Sequence, residues 1–260
     1  MISSDFRAEA RRKLAGKWGK GACIMLAFLL VTFVINFIIG LLPDSYEWLG
    51  QIIDIVINVP LSFGILYAFL KLYKDENVGA FDFFKLGFNN FGKSWSITFN
   101  IFLKMIVPAI VIIISYILIA VGISLYYTSL FVTYSTSAVN GYVFIAIIGF
   151  ILLIASSIWA TTKYYFYQLA FLISIENEDM SAEEAVTESQ KAMTGKRASL
   201  FWLQLSFIGW AILGAISFGI GFLWIIPYVH FATIAFYKYA IGDSSTVEVQ
   251  SVDDDSKTAE

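Results

Sequence analysis

The sequence predicts an all-α fold, a polytopic transmembrane helical bundle of six spans with both termini cytoplasmic, and three observations carry that prediction. Of 260 residues, 58% are hydrophobic and 14% charged, against roughly 25% charged in a soluble domain. Six apolar runs reach the ~20 residues that a helix needs to cross about 30 Å of hydrocarbon, where an unpaired backbone N–H or C=O finds no water. The lysines and arginines collect in alternate gaps between those runs, and bases near span ends stay on the cytoplasmic side.

Residues 1–20 are expected to form a basic cytoplasmic helix carrying Arg7, Arg11, Arg12, Lys13, Lys17 and Lys20. Residues 21–240 form the membrane domain. Its first run, 21–42, follows a basic segment as a secretory signal does. Gly40-Leu41-Leu42-Pro43 offers no Ala-x-Ala cleavage pattern, so an uncleaved span is expected. The second run is 49–70, the third lies within 95–125 and the fourth within 142–175. The stretch 200–240 is two spans long and divides at Gly219-Ile220-Gly221, where glycine makes a tight reversal least costly. Gaps 43–48 and 126–141 and the Gly219 turn hold no base, whereas 71–93 holds Lys71, Lys74, Lys85 and Lys93. The gap before residue 200 holds Lys191, Lys196 and Arg197.

The third and fourth runs are too long for simple spans, reaching roughly 45–50 Å each at 1.5 Å per residue. Lys104 and Lys163 lie inside them. Placing both at the cytoplasmic boundary leaves 105–125 and 142–162 as ordinary spans. The remainders, 95–103 and 164–175, are then expected to run along or below the inner interface, where Tyr164, Tyr165 and Tyr167 suit an aromatic belt.

Two cytoplasmic segments read as amphipathic helices. Within 81–91, Phe81, Phe84 and Phe88 share one face and Lys85 falls outside it, as in a helix lying in the headgroup plane. Within 181–193, Ser181 and Glu184 form a capping box ahead of Ala182, Ala185, Val186 and Met193. Each is an amphipathic connector packed on the bundle, or a partner-docking or lipid-sensing surface. Residues 241–260 are acidic and polar, ending in Asp253-Asp254-Asp255 and Glu260, and are expected to be a disordered cytoplasmic tail.

Residues that usually carry chemistry are scarce. One cysteine, Cys23, permits neither a disulfide framework nor a cysteine metal site within the chain. One histidine, His230, excludes the two-histidine zinc motif. Neither a G-x-S-x-G elbow nor a phosphate-binding glycine loop occurs, and no basic, aromatic-interleaved stripe suggests nucleic acid. No catalytic, cofactor or metal residue is therefore assigned, and the chain is not expected to be an enzyme. A polar set inside the membrane is the one candidate site: Asp54, Asn58, Pro60 and His230. A carboxylate at span centre costs about 2.5–3.5 kcal/mol on insertion scales, so Asp54 should face a partner or a wet cavity unless it reaches the outer headgroups. Pro60 frees a backbone carbonyl one and a half turns later. His230 is a proton relay or ligand holder, or simply bonds a neighbouring helix. Pro108 and Pro227 interrupt two further spans.

The C-terminal third, from Ser181-Ala182-Glu183-Glu184 through Leu205-Ser206-Phe207-Ile208-Gly209-Trp210, Gly219-Ile220-Gly221 and Pro227-Tyr228, resembles an uncharacterised Gram-positive integral membrane family, domain of unknown function 975. Lys17-Trp18-Gly19-Lys20 and Asn90-Phe91-Gly92-Lys93 fit it as well. The segment 126–141 departs from it, being longer than the short Pro-Gly turn the family is expected to have there. The resemblance implies a bacterial plasma membrane and a six-helix bundle, and it brings no activity or catalytic residues. The expected function is a non-enzymatic helper or scaffold that docks on another envelope component, with the lipid bilayer and a membrane protein as partners. The rival is a small transporter or exporter working near Asp54 and His230.

Overall fold

The computed structural model describes residues 2–131 and 139–242. The expected acidic tail lies beyond them, apart from Ile241 and Gly242. Every regular element described is helical: α1 (Ser3–Leu14), α2 (Trp18–Ile39), α3 (Glu47–Tyr73), α4 (Asp82–Asn89), α5 (Phe91–Phe131), α6 (Val139–Tyr167), α7 (Ala170–Glu176), α8 (Ala182–Met193), α9 (Arg197–Leu205), α10 (Ile208–Ile216) and α11 (Phe222–Ile241), with a 3-10 turn at Asp44–Tyr46. Among the described residues, five stretches are long and apolar enough to cross a membrane: Trp18–Ile39, Glu47–Tyr73, Phe91–Phe131, Gly141–Glu176 and Arg197–Ile216. The chain is thus a multi-pass integral membrane protein. The helix α11 is not among the five; Pro227, Tyr228, His230 and Lys238 dilute its apolar content.

The helices group into two compact units, residues 1–98 with 169–260, and residues 99–168. In the first, α11 is the hub: Phe231, Ala232, Ile234 and Phe236 are wholly buried. The helix α1 lies on it through Phe6, Ala10 and Leu14, whose spacing of four puts them on one face, and Phe6 meets Phe236 edge-on at 5.4 Å. The helix α3 changes character along its length. Its first half exposes Ile52 and Ile55, while its second half buries Leu61, Phe63, Ala68, Phe69 and Leu72.

The helix α4 packs against that second half with two backbones in contact. A Cβ on Gly64 would stand 2.8 Å from Gly87 N and 2.9 Å from its Cα, and a Cβ on Gly87 would meet the carbonyl of Pro60. Phe83 fills the remaining space and is wholly buried against Phe28 at 5.5 Å. Phe81 and Phe84 point outward, 61% and 44% exposed, with Phe84 and Phe88 rings 4.6 Å apart. The capping box at Ser181 is present, with Ser181 N–H donating to Glu184 Oε2 at 2.9 Å, and Ala185, Val186 and Met193 are buried.

The second unit is an antiparallel pair. A Cβ on Gly122 would stand 2.7 Å from Ala146 N, and one on Gly149 would stand 2.9 Å from Ile119 N, so one glycine on each helix admits the other's backbone. In the third run α5 is continuous over 41 residues, roughly 60 Å, through both Lys104 and Pro108, so residues 95–103 belong to the same helix as 105–125. In the fourth run the helix breaks at Gln168 and Leu169, five residues past Lys163.

Candidate functional site

The structure spreads the four sequence-predicted site residues along the bundle. Asp54 and Asn58 are neighbours one turn apart on α3. The Asn58 amide donates to Asp54 Oδ1 at 2.6 Å and to its carbonyl at 3.0 Å, so the half-buried carboxylate is satisfied within its own helix. Beside it a cleft of about 540 Å³ opens between the end of α2 and the start of α3, lined by Asn36, Glu47, Gln51 and Asp54. Pro60 has no N–H to give Val56, and the freed Val56 carbonyl accepts instead from the indole N–H of Trp95 at 3.3 Å. The broken helix is therefore closed by a side chain of α5. His230 stacks on Phe69 with ring centroids 4.8 Å apart. Phe69 lies fifteen residues past Asp54 on α3, about 22 Å along the axis, so His230 and Asp54 do not meet.

The structure instead assembles a charged site at the other end of α3. Glu176 closes α7 and accepts from Lys238 Nζ at 2.8 Å, from the Tyr237 hydroxyl at 2.7 Å and from Lys74 Nζ at 2.6 Å. Its side chain is only 13% exposed. Two ammonium groups share one carboxylate, with Lys238 14% and Lys74 40% exposed, so the Lys238 pair is the less screened of the two. An open cleft of about 610 Å³ adjoins the cluster, lined by Lys74, Glu176, Asn177, Met180 and Glu188 among others.

Lysines also close the helices that end near this site. The last carbonyls of a helix lack intrahelical donors and carry the negative end of its dipole, so an ammonium group satisfies both needs. Lys17 donates to Leu72 O of α3 at 3.0 Å, and Lys196 to Ala240 O of α11 at 2.7 Å. Lys93 donates to three carbonyls at the end of α7: Ser174 (2.9 Å), Asn177 (3.2 Å) and Glu178 (2.7 Å). After α3 the chain leaves through Asp75 at φ 65, with Glu76 N–H donating to Lys71 O at 3.0 Å and Asp75 N–H to Leu72 O at 3.3 Å, a Schellman ending. Lys17 pairs with the Asp75 side chain, and that bond and its charge hold the Asp75 carboxyl below its ordinary range.

Tyr228 forms a second junction. Its hydroxyl donates to Arg7 O at 3.3 Å and accepts from Arg11 Nη1 at 3.3 Å, pinning α1 to α11. Rings of Phe207, Trp18 and Trp210 surround it at 5.0, 6.0 and 6.2 Å. Trp18, Phe207, Trp210 and Tyr228, four of the residues that carried the family resemblance, thus meet at one point.

Sequence reasoning missed Glu176, Tyr237 and the lysine-closed helix ends. Glu176 reads in sequence as the polar edge of a run, and its partners Lys74 and Lys238 are remote in the chain. Among the described residues no group of three or more His, Cys, Asp or Glu side chains is placed to hold a metal ion. The charged cleft can bind polar or charged groups by ion pairs and hydrogen bonds. Neither a curated protein nor a solved structure gives a significant match to the chain. The family model described as "Protein of unknown function (DUF975)" matches residues 1–242, and the chain belongs to that family.

Proposed function

We propose that this protein is a non-enzymatic helper or scaffold of the bacterial plasma membrane, which docks a cytoplasmic segment of another membrane protein in the charged cleft beside Glu176. In this reading α11 is a sixth span, its 20 residues matching about 30 Å of hydrocarbon, and both termini are cytoplasmic. The observation that carries the reading is the cleft itself. It is open, it combines Lys74, Glu176 and Glu188 with the apolar Met180, and it lies among the lysine-closed helix ends that the charge alternation assigns to the inner side. A paired charge rim around a small apolar patch suits a polypeptide partner.

The test is co-purification in mild detergent, with a photo-crosslinking side chain at Met180 to mark the contact. The reading expects one stoichiometric membrane partner whose adduct disappears in Glu188→Lys. An adduct-free protein, or one whose partner is retained in Glu188→Lys, counts against it.

The cleft beside Asp54 favours a second reading, a small transporter or exporter. Flux in proteoliposomes that vanishes in Asp54→Asn would establish it, and unchanged flux would remove Asp54 from any such path.

A further inference from the structure

We infer that Lys104 and Lys163 together form a seat for the phosphate of an anionic phospholipid. The antiparallel register of the second unit places them side by side in height. Ile119 lies against Gly149, Lys104 is fifteen residues before Ile119, and Lys163 is fourteen residues after Gly149. The two lysines therefore stand at the same level to within about one residue rise, ~22 Å from the helix contact.

At that level each lysine interrupts an otherwise apolar surface, which on α5 continues past Lys104 through Leu103, Phe102 and Phe99. From Lys104 to Leu125 the helix rises about 32 Å, close to the hydrocarbon thickness of ~30 Å. Outward side chains between these limits include Ile110, Ile113, Ile117 and Val121, all apolar. Tyr164 follows Lys163 and is 54% exposed, as an interfacial aromatic is.

Both lysines are half-buried, and among the described residues neither forms an ion pair or hydrogen bond with the protein. An ammonium group donates three N–H bonds and accepts none, so a partly dehydrated pair calls for an oxygen-rich anion. At this depth the phosphate layer of the bilayer supplies one. Two positive charges select against a zwitterionic lipid, whose own ammonium group would be repelled by the second lysine, and favour a headgroup with net negative charge. The inference stands apart from the proposed docking role and needs no partner protein.

The experiment uses the full chain in nanodiscs of phosphatidylcholine doped with phosphatidylglycerol, followed by native mass spectrometry of the lipids retained. The wild type is expected to keep phosphatidylglycerol above its bilayer proportion. Lys104→Gln and Lys163→Gln should each lower that preference about fivefold, and the pair should remove it. The double arginine variant should keep it, and Lys85→Gln, an exposed lysine of the other unit, should leave it unchanged. If the double glutamine variant fails to assemble, the single variants and the arginine pair decide. A wild type without preference, or glutamine variants that retain it, overturns the inference and leaves the two lysines to water or to an acidic protein segment.

Discussion

Substituting Gly64 by alanine should part α4 from α3. The new methyl would stand 2.8 Å from Gly87 N and 2.9 Å from Gly87 Cα, and closer still to the Phe83 carbonyl, whereas ordinary contact begins near 3.4 Å. Every obstructing atom is backbone, so no rotamer change relieves the overlap. The helices must separate by more than 0.5 Å, measured at Gly87 alone, and Phe83 must then loosen in its pocket against Phe28. Overpacking of this kind costs typically 1–3 kcal/mol, and a rigid obstacle places Gly64→Ala near ~3 kcal/mol. For a chain of this size that is about 6–12 °C in the thermal midpoint. Tryptophan fluorescence during heating of the detergent-solubilised protein reads it, and Gly92→Ala is the control. Gly92 is helical with nothing within 4 Å of its would-be Cβ, so alanine there should be neutral or stabilising by up to ~1 kcal/mol. Gly64→Ala and Gly87→Ala overpack the same contact, and the separation forced by one makes room for the other, so the double variant should cost less than the sum. A Gly64→Ala midpoint within a degree or so of the wild type would refute the close crossing.

Three further outcomes follow from the same contacts. Trp95→Phe removes the donor that satisfies Val56 O and should cost ~1 kcal/mol; in a Pro60→Ala background the restored N–H takes that carbonyl, and the cost should largely disappear in a double-mutant thermal cycle. Glu176→Gln leaves Lys74 and Lys238 unneutralised and should destabilise by ~2 kcal/mol, with Lys238→Gln costing more than Lys74→Gln because their side chains are 14% and 40% exposed; unfolding midpoints in detergent rank the three. Asp75 has its carboxyl held below 3.8 by Lys17, so its contribution is present above that pH and is lost as the pH falls through the depressed value. Asp75→Asn keeps a residue tolerant of positive φ, and its midpoint should trail the wild type at neutral pH and converge with it in acid.

What the sequence reveals is set by how far apart the interacting residues lie. The all-helical fold and the apolar stretches were legible because lipid enforces them locally, and the family was legible from residues that prove to gather around Tyr228. Pro60 announces a free carbonyl, but Trp95, which takes it, is thirty-nine residues from Val56 and has no local signature. The crossing at Gly64 and Gly87 uses one glycine from each helix, so no repeated small-residue motif betrays it. Spacing of Phe81, Phe84 and Phe88 identifies the outer face of α4, while the packed face is made by Phe83 and Gly87, too few residues to show a period. Lys104 leaves no mark on the secondary structure because a lysine does not interrupt helical hydrogen bonding; the position of a boundary in the membrane need not be an end of the helix. Asp54 and His230 looked alike as intramembrane polar groups, and only the packing of Asn58 on one and Phe69 on the other separates them.

The most direct test of a bundle whose lysine-closed end faces the cytoplasm is cysteine labelling of intact cells in a Cys23→Ser background. Single cysteines at Ser45 and Phe218 sit at exposed turns between helices, and those at Ser4 and Asp179 sit on the lysine-bearing side. The account predicts that a membrane-impermeant maleimide labels the first pair in intact cells and the second pair only after permeabilisation. Labelling of Ser4 and Ser45 from the same side, or of Asp179 from outside, would contradict it.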